Sequence, residues 1–164
     1  MRYLRSILPV FPSLFCCGAA VADWESFILP GDFQTESSLA QAIVTAKRTD
    51  KHVIVYYTRT NCPPCNVLRS RLRSEVVARP YRDSYVFTVA WGSSMGSVER
   101  DQYRQRYRVL GAPTWLVFDN DGRYVCTAAG GFQTDEGGQA LHQAIQAQLP
   151  GAAQRSDAEP RNCL

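Results

Sequence analysis

Beyond residue 23 the chain alternates between apolar runs of strand length and apolar stripes at helical spacing. Trp24 to Leu29 reads as a short leading strand, which Pro30, Gly31 and Asp32 break. Leu39, Ala42, Ile43 and Ala46 recur at helical spacing behind Thr35, Ser37 and Ser38 as candidate caps, predicting a helix over Ser37 to Thr49. Lys51 to Thr58 is apolar on both faces, the pattern of a central strand covered from each side. A helical stretch from Asn66 to Ala78 comes next, with Val67, Leu68, Leu72, Val76 and Val77 as its buried side. Arg69, Arg71 and Arg73 face water or a site, and Arg79-Pro80 is expected to end the helix, since a proline drives the residue before it out of helical conformation.

The second half follows the same rhythm. Tyr85 to Ala90 alternates as a strand, Trp91 to Ser97 is a polar loop with two glycines, and Val98 to Tyr107 is a helix. Two β-rich runs, Trp115 to Asp119 and Arg123 to Ala128, flank Asn120-Asp121-Gly122 and predict an antiparallel hairpin. Leu141, Ile145 and Leu149 mark a last amphipathic helix, while Gly151 to Leu164 is polar, lacks periodicity and reads as a flexible tail. The sum is an α/β chain in which helices cover a central sheet.

The chemistry lies where the central strand meets the helix after it, at Cys62-Pro63-Pro64-Cys65. The open amides and positive dipole end of a helix stabilise a thiolate in its first turn, so Cys62, the outer cysteine, becomes nucleophilic near neutral pH. Two intervening residues let Cys65 close a small disulfide with it. Pro63 and Pro64 suit the first turn, where a missing N–H costs little. Half of a zinc site is another reading, but four ligands are wanted and only Cys126, Cys163, His52 and His142 remain, none paired at ligand spacing. An inert disulfide and a two-thiolate Cu(I) carrier stay open beside the redox reading.

The N-terminus changes the compartment. Arg2 and Arg5, the apolar run Ile7 to Phe15 and Ala20-Val21-Ala22 form the pattern of a cleaved secretory signal, with cleavage expected after Ala22 and an exported, periplasmic product. Pro9 and Pro12 interrupt the segment, which is shorter than a membrane span of about 20 apolar residues. Lipid attachment at Cys16 or Cys17 is the weaker alternative, because Phe15 precedes them. Of 18 basic and 15 acidic side chains only Arg2 and Arg5 lie in the leader, leaving 16 against 15, a balance that offers nucleic acid no electrostatic footprint. Residues 23–150 fit one domain with a real core. In an oxidising compartment the four remaining cysteines are free to pair. Cys126 reads as a small buried residue on the second hairpin strand, or alternatively as the partner of Cys163, tying the tail onto the sheet.

The order of elements, the CPPC motif, and Gly111-Ala112-Pro113-Thr114 just before a strand together resemble the thioredoxin superfamily over nearly all of Trp24 to Leu149. Asn120-Asp121-Gly122 resembles that family's hairpin turn, and Gly130 or Gly131 the glycine after its last strand. The distance from Cys65 to Pro113 leaves no room for the helical insertion of DsbA-like oxidases and little for the additions of TlpA-like reductases. Within the superfamily the chain is most similar to exported proteins related to the C-terminal domain of the transmembrane reductase DsbD.

The resemblance implies a thioredoxin fold, a central mixed sheet with helices on both faces, and thiol-disulfide exchange without cofactor or metal. Cys62 and Cys65 would be the catalytic pair, with Ala112, cis Pro113, Pro63 and Pro64 forming the substrate-binding edge. Protein disulfides would be the substrates and a membrane thiol-disulfide protein the electron donor. Pro64, immediately before the second cysteine, resembles the family's reductants; a disulfide oxidase or isomerase, or a thioredoxin-fold binding or assembly protein, is the alternative. Trp91 is a candidate for the docking surface or for ordinary packing, and Arg59 for a thiolate partner or a solvated side chain. Two positions depart from the family: Asn61 stands where Trp is usual, and Tyr56 where a buried acid helps deprotonate the second cysteine.

Overall fold

The computed structural model describes residues 29–150 and 161–164. The expected signal sequence, and the leading strand except Leu29, lie outside the described residues. Five strands, β1 (Thr35–Glu36), β2 (His52–Thr58), β3 (Tyr85–Trp91), β4 (Thr114–Phe118) and β5 (Tyr124–Ala129), form one mixed sheet in the order β1-β3-β2-β4-β5. β3 runs parallel to both β1 and β2, whereas β4 is antiparallel to β2 and to β5.

Period-two alternation splits the core between two faces. Ile54 and Tyr56 of β2, Tyr85 and Phe87 of β3, and Trp115 and Val117 of β4 point to one side. There they meet Leu68 of α2 (Pro63–Arg71), Val77 and Tyr81 of α3 (Glu75–Ser84), and Leu141 and Ile145 of α5 (Asp135–Gln148). Val53, Val55, Val86, Leu116 and Phe118 point the other way, onto Ala42 and Ala46 of α1 (Leu39–Thr49). Tyr103 and Tyr107 of α4 (Ser97–Tyr107) cover the same face half-buried. β2 is therefore apolar on both sides because helices cover both.

The region after the motif departs from the sequence expectation. A single helix from Asn66 ended by Pro80 becomes two, α2 and α3, separated by a turn at Leu72 to Ser74, and Pro80 lies inside α3. The carbonyl that the missing Pro80 N–H would have served belongs to Val76, an exposed residue. Leu68, Leu72 and Val77 are buried as expected, whereas Val67 in α2 is 39% exposed and Val76, beyond the break that resets the helical phase, is 58% exposed. Ser74 hydrogen-bonds Asp135 at the start of α5 through its hydroxyl (2.8 Å), so the turn is held by a distant element invisible to local periodicity.

Smaller corrections lie at the edges. Thr35 belongs to the two-residue β1 and is no cap; Ser38 caps α1, accepting from the Gln41 N–H at 3.3 Å. The hairpin forms with Gly122 at φ +81, the left-handed conformation its Asn-Asp-Gly turn demands. Asp119 Oδ1 accepts from the N–H groups of Asp121 and Arg123, which fastens that turn. The expectation of a flexible tail does not hold for its last four residues. Asn162 bridges in parallel to Thr127 on the outer edge of β5, and Cys163 is disulfide-bonded to Cys126. Thr127 N–H donates to Arg161 O, and Cys163 N–H to Thr127 O, partly covering the unpaired edge of β5.

Candidate active site

β2 ends at Thr58, and four residues later the chain has reversed into α2. Asn61 makes the turn at φ +53, a left-handed conformation that asparagine tolerates far better than a bulky aromatic residue. That geometry suits Asn61 where the resembling family usually has Trp. The approach is pinned on its outer side: Thr60 N–H donates to Ser93 Oγ at 2.9 Å, and Gly92 N–H to Thr58 O at 2.8 Å. Trp91, half-buried at the end of β3, packs against the same apolar cluster as the two cysteines.

Cys62 is the N-cap of α2, with Pro63 and Pro64 in its first two positions. It is disulfide-bonded to Cys65, and the Cα atoms are 5.2 Å apart. The two prolines lack N–H groups, so the first-turn amide directed at Cys62 Sγ is that of Cys65, at 3.3 Å. This is the donor that would hold a Cys62 thiolate, with the helix dipole behind it. Asn66 N–H is occupied by Cys62 O. Both cysteines are about 5% exposed, while Pro63 and Pro64 project outward.

Fifty residues on, the Ala112–Pro113 peptide is cis. Pro113 is buried, its carbonyl accepts from Gly130 N–H at 2.9 Å, and Ala112 packs against the cluster containing Cys62 and Cys65. Leu110, two residues before Ala112, is 80% exposed. Gly131, at φ +61, lies so close to α2 that a Cβ there would stand 3.1 Å from Leu68, directly beneath the motif helix. The fold thus gathers Cys62, Cys65, Pro63, Pro64, Ala112 and Pro113, all singled out from sequence, around one end of β2. Arg59 is exposed, the solvated state weighed for it from sequence.

Tyr56, in place of a buried acid, is 2% exposed, and burial foremost pushes its phenol above the ordinary range. Sequence reasoning missed Thr58. It shares the Tyr56 face of β2, is 3% exposed, and donates its hydroxyl to Cys65 Sγ at 3.4 Å. The available signal was a threonine two residues from Tyr56 at the end of an otherwise apolar strand. As for a metal, no third His, Cys, Asp or Glu joins the pair in a ligand cluster among the described residues. Cys126 and Cys163 are bonded to each other, and His142 stands edge-on to Tyr81 and Tyr85.

A family model described as a thioredoxin-like domain matches residues 39–145, which span β2, the motif, the cis-proline loop and most of α5. Among solved structures, a disulphide isomerase from Xylella fastidiosa Temecula1 superposes with a TM-score of 0.52 at 21% identity, covering 66% of this chain and 88% of that one. A thioredoxin-fold protein from Helicobacter pylori superposes with a TM-score of 0.50 at 14% identity, covering 80% and 82%. No curated protein matches the sequence.

Proposed function

Because the chain belongs to the thioredoxin-like domain family, we propose that it is a thiol-disulfide oxidoreductase that reduces protein disulfides through the Cys62/Cys65 couple. The observation that carries this is the position of Cys62: it caps α2, takes the Cys65 N–H on its sulfur, and is bonded to Cys65 beside the cis Pro113 loop. In the reduced protein the Cys62 thiolate attacks a substrate disulfide, forming a mixed disulfide and releasing one substrate thiolate, which takes up a proton. Cys65 then attacks Cys62 Sγ, the bond to substrate breaks, and the second substrate thiol leaves. Two electrons pass from the dithiol to the substrate, and the protein is left with the disulfide seen here. Ala112 offers a backbone edge to an extended substrate segment, flanked by Pro63 and Pro64.

Pro64 before the second cysteine supports the reducing direction, by resemblance to the family's reductants. Export to the periplasm is part of the proposal. The leader pattern over Met1 to Ala22 supports it, and a buried Cys126–Cys163 disulfide suits an oxidising compartment. A reductant there must be recharged, which calls for a membrane thiol-disulfide donor of the kind that serves the DsbD-related proteins.

The deciding measurement is the reduction potential of Cys62/Cys65, by equilibration against thiol-disulfide buffers and alkylation. A value near or below about −230 mV supports the reductase, and one between about −180 and −120 mV replaces it with an oxidase or isomerase. A Cys65→Ala variant should accumulate mixed disulfides with client proteins; a pure binding module accumulates none.

A further inference from the structure

Cys65 has to become a nucleophile where the described residues set no buried acid beside it. It is 6% exposed inside an apolar cluster, where burial disfavours a thiolate. Among the described residues Asp119 is the one buried carboxylate, and it lies at the far end of the sheet. Strand register pairs Thr114 with Tyr57 near the motif and Phe118 with Val53 at the start of β2, so Asp119, one residue further, is beyond that start. Its Oδ1 is taken by the N–H groups of Asp121 and Arg123. The polar group that does reach Cys65 is the Thr58 hydroxyl, aimed at Sγ from 3.4 Å.

We propose that Thr58 is a catalytic residue of the resolving step, donating a hydrogen bond that holds Cys65 as the attacking thiolate. This rests on the oxidoreductase reading above. Tyr56 and Thr58 are two residues apart on one face of β2, both buried, and the Thr58 hydroxyl is the one directed at Cys65 Sγ. A threonine hydroxyl has one hydrogen and two lone pairs. That hydrogen is directed at sulfur, and burial keeps the Tyr56 phenol protonated. With no buried carboxylate beside Cys65 among the described residues to retain the proton, the Cys65 proton leaves with the substrate. Cys65–SH and Cys62–S–S–R become Cys65–S–S–Cys62 and R–SH; the Cys62–S–R bond breaks as the Cys65–S–S–Cys62 bond forms, and the departing thiolate takes the proton. The other titratable side chains set toward this cluster are Arg69 on α2, whose charge acts on Tyr56, Tyr81 on α3, Tyr85 on β3 and His142 on α5. The Tyr81 hydroxyl donates to Gly138 O and the Tyr85 hydroxyl accepts from Gln146 Nε2, so both are engaged away from Cys65.

The test titrates Cys65 alone, by ultraviolet thiolate absorbance in a Cys62→Ala background, with Thr58, Thr58→Val and Thr58→Ser. Val keeps the shape and β-branching of Thr and removes the hydroxyl, and Ser keeps the hydroxyl. Loss of a hydrogen bond to a charged group should raise the Cys65 titration by about one to two pH units in the Val variant, with Ser restoring it. With Cys62 present, Thr58→Val should resolve a preformed mixed disulfide with a peptide thiol about 10- to 100-fold more slowly at neutral pH. A Val variant that is folded by circular dichroism and titrates as the parent does overturns the proposal, as does a Ser variant that behaves like Val. The titration needs no turnover of a natural substrate, so it stands or falls separately from the oxidoreductase reading.

Discussion

Cutting the covalent link between the sheet edge and the C-terminus should cost this fold about 4 kcal/mol. Cys126 lies on β5, and Cys163 follows it by 37 residues. In the chain-entropy description, cross-linking a loop of that length lowers the entropy of the unfolded ensemble by about 13 cal/mol/K, or about 4 kcal/mol at 25 °C. The Cys62–Cys65 link spans a separation of only 3 and constrains the unfolded chain far less. The perturbation is the double substitution Cys126→Ala and Cys163→Ala, which leaves no stray thiol. Both sulfurs are buried, at 0% and 2% exposure, so lost packing adds to the entropic cost and does not offset it. For a domain of this size the loss corresponds to a fall in Tm of about 10–15 °C. Urea unfolding without reductant should show a lower midpoint and a steeper slope, because the unlinked denatured chain exposes more surface. A double variant within about 1 kcal/mol of the parent would refute the reasoning; it would mean that the bridging of Asn162 to Thr127 holds the end without the covalent link.

Pro64→Ala returns an amide to the second position of α2, within reach of an N-cap acceptor. A second donor to the Cys62 thiolate should lower its pKa and raise the potential of the couple, by about 30 mV for each 1.4 kcal/mol gained; an unchanged potential would show that this amide does not reach Sγ. Burial holds the His142 imidazole below its ordinary pKa, and its Nδ1 has no hydrogen-bond partner among the described residues. The unfolded chain therefore binds the proton more readily than the folded one. Stability should be level above about pH 6.5 and decline as pH falls through that value toward the folded-state pKa. His142→Phe should flatten part of that decline in pH-dependent urea unfolding, leaving the part due to His52, which burial also lowers; an unflattened curve would exclude His142 as a source.

The sequence by itself determined the elements whose signals are local. β2 was legible because a run apolar on both faces needs cover on both sides, and the hairpin because Gly122 accepts the positive φ its turn requires. Cys62 and Cys65 were legible because a cysteine pair between strand and helix carries its chemistry in spacing, and Pro113 because Gly111-Ala112-Pro113-Thr114 resembles a segment of the thioredoxin superfamily. What only the tertiary structure decided depends on groups far apart in the chain. The division of the motif helix into α2 and α3 follows a turn whose Ser74 is held by Asp135, 61 residues away. Val76 faces water because helical periodicity does not carry across that break, where the helix axis starts afresh. The ordering of residues 161–164 needs the edge of β5 and the thiol of Cys126, neither of which a polar tail reveals. Thr58 gained its place beside Cys65 only when α2 folded back over the end of β2. Periodicity and spacing report each segment's own preference for water or core, whereas a hydrogen bond between distant residues forms only where the packed chain brings donor and acceptor together.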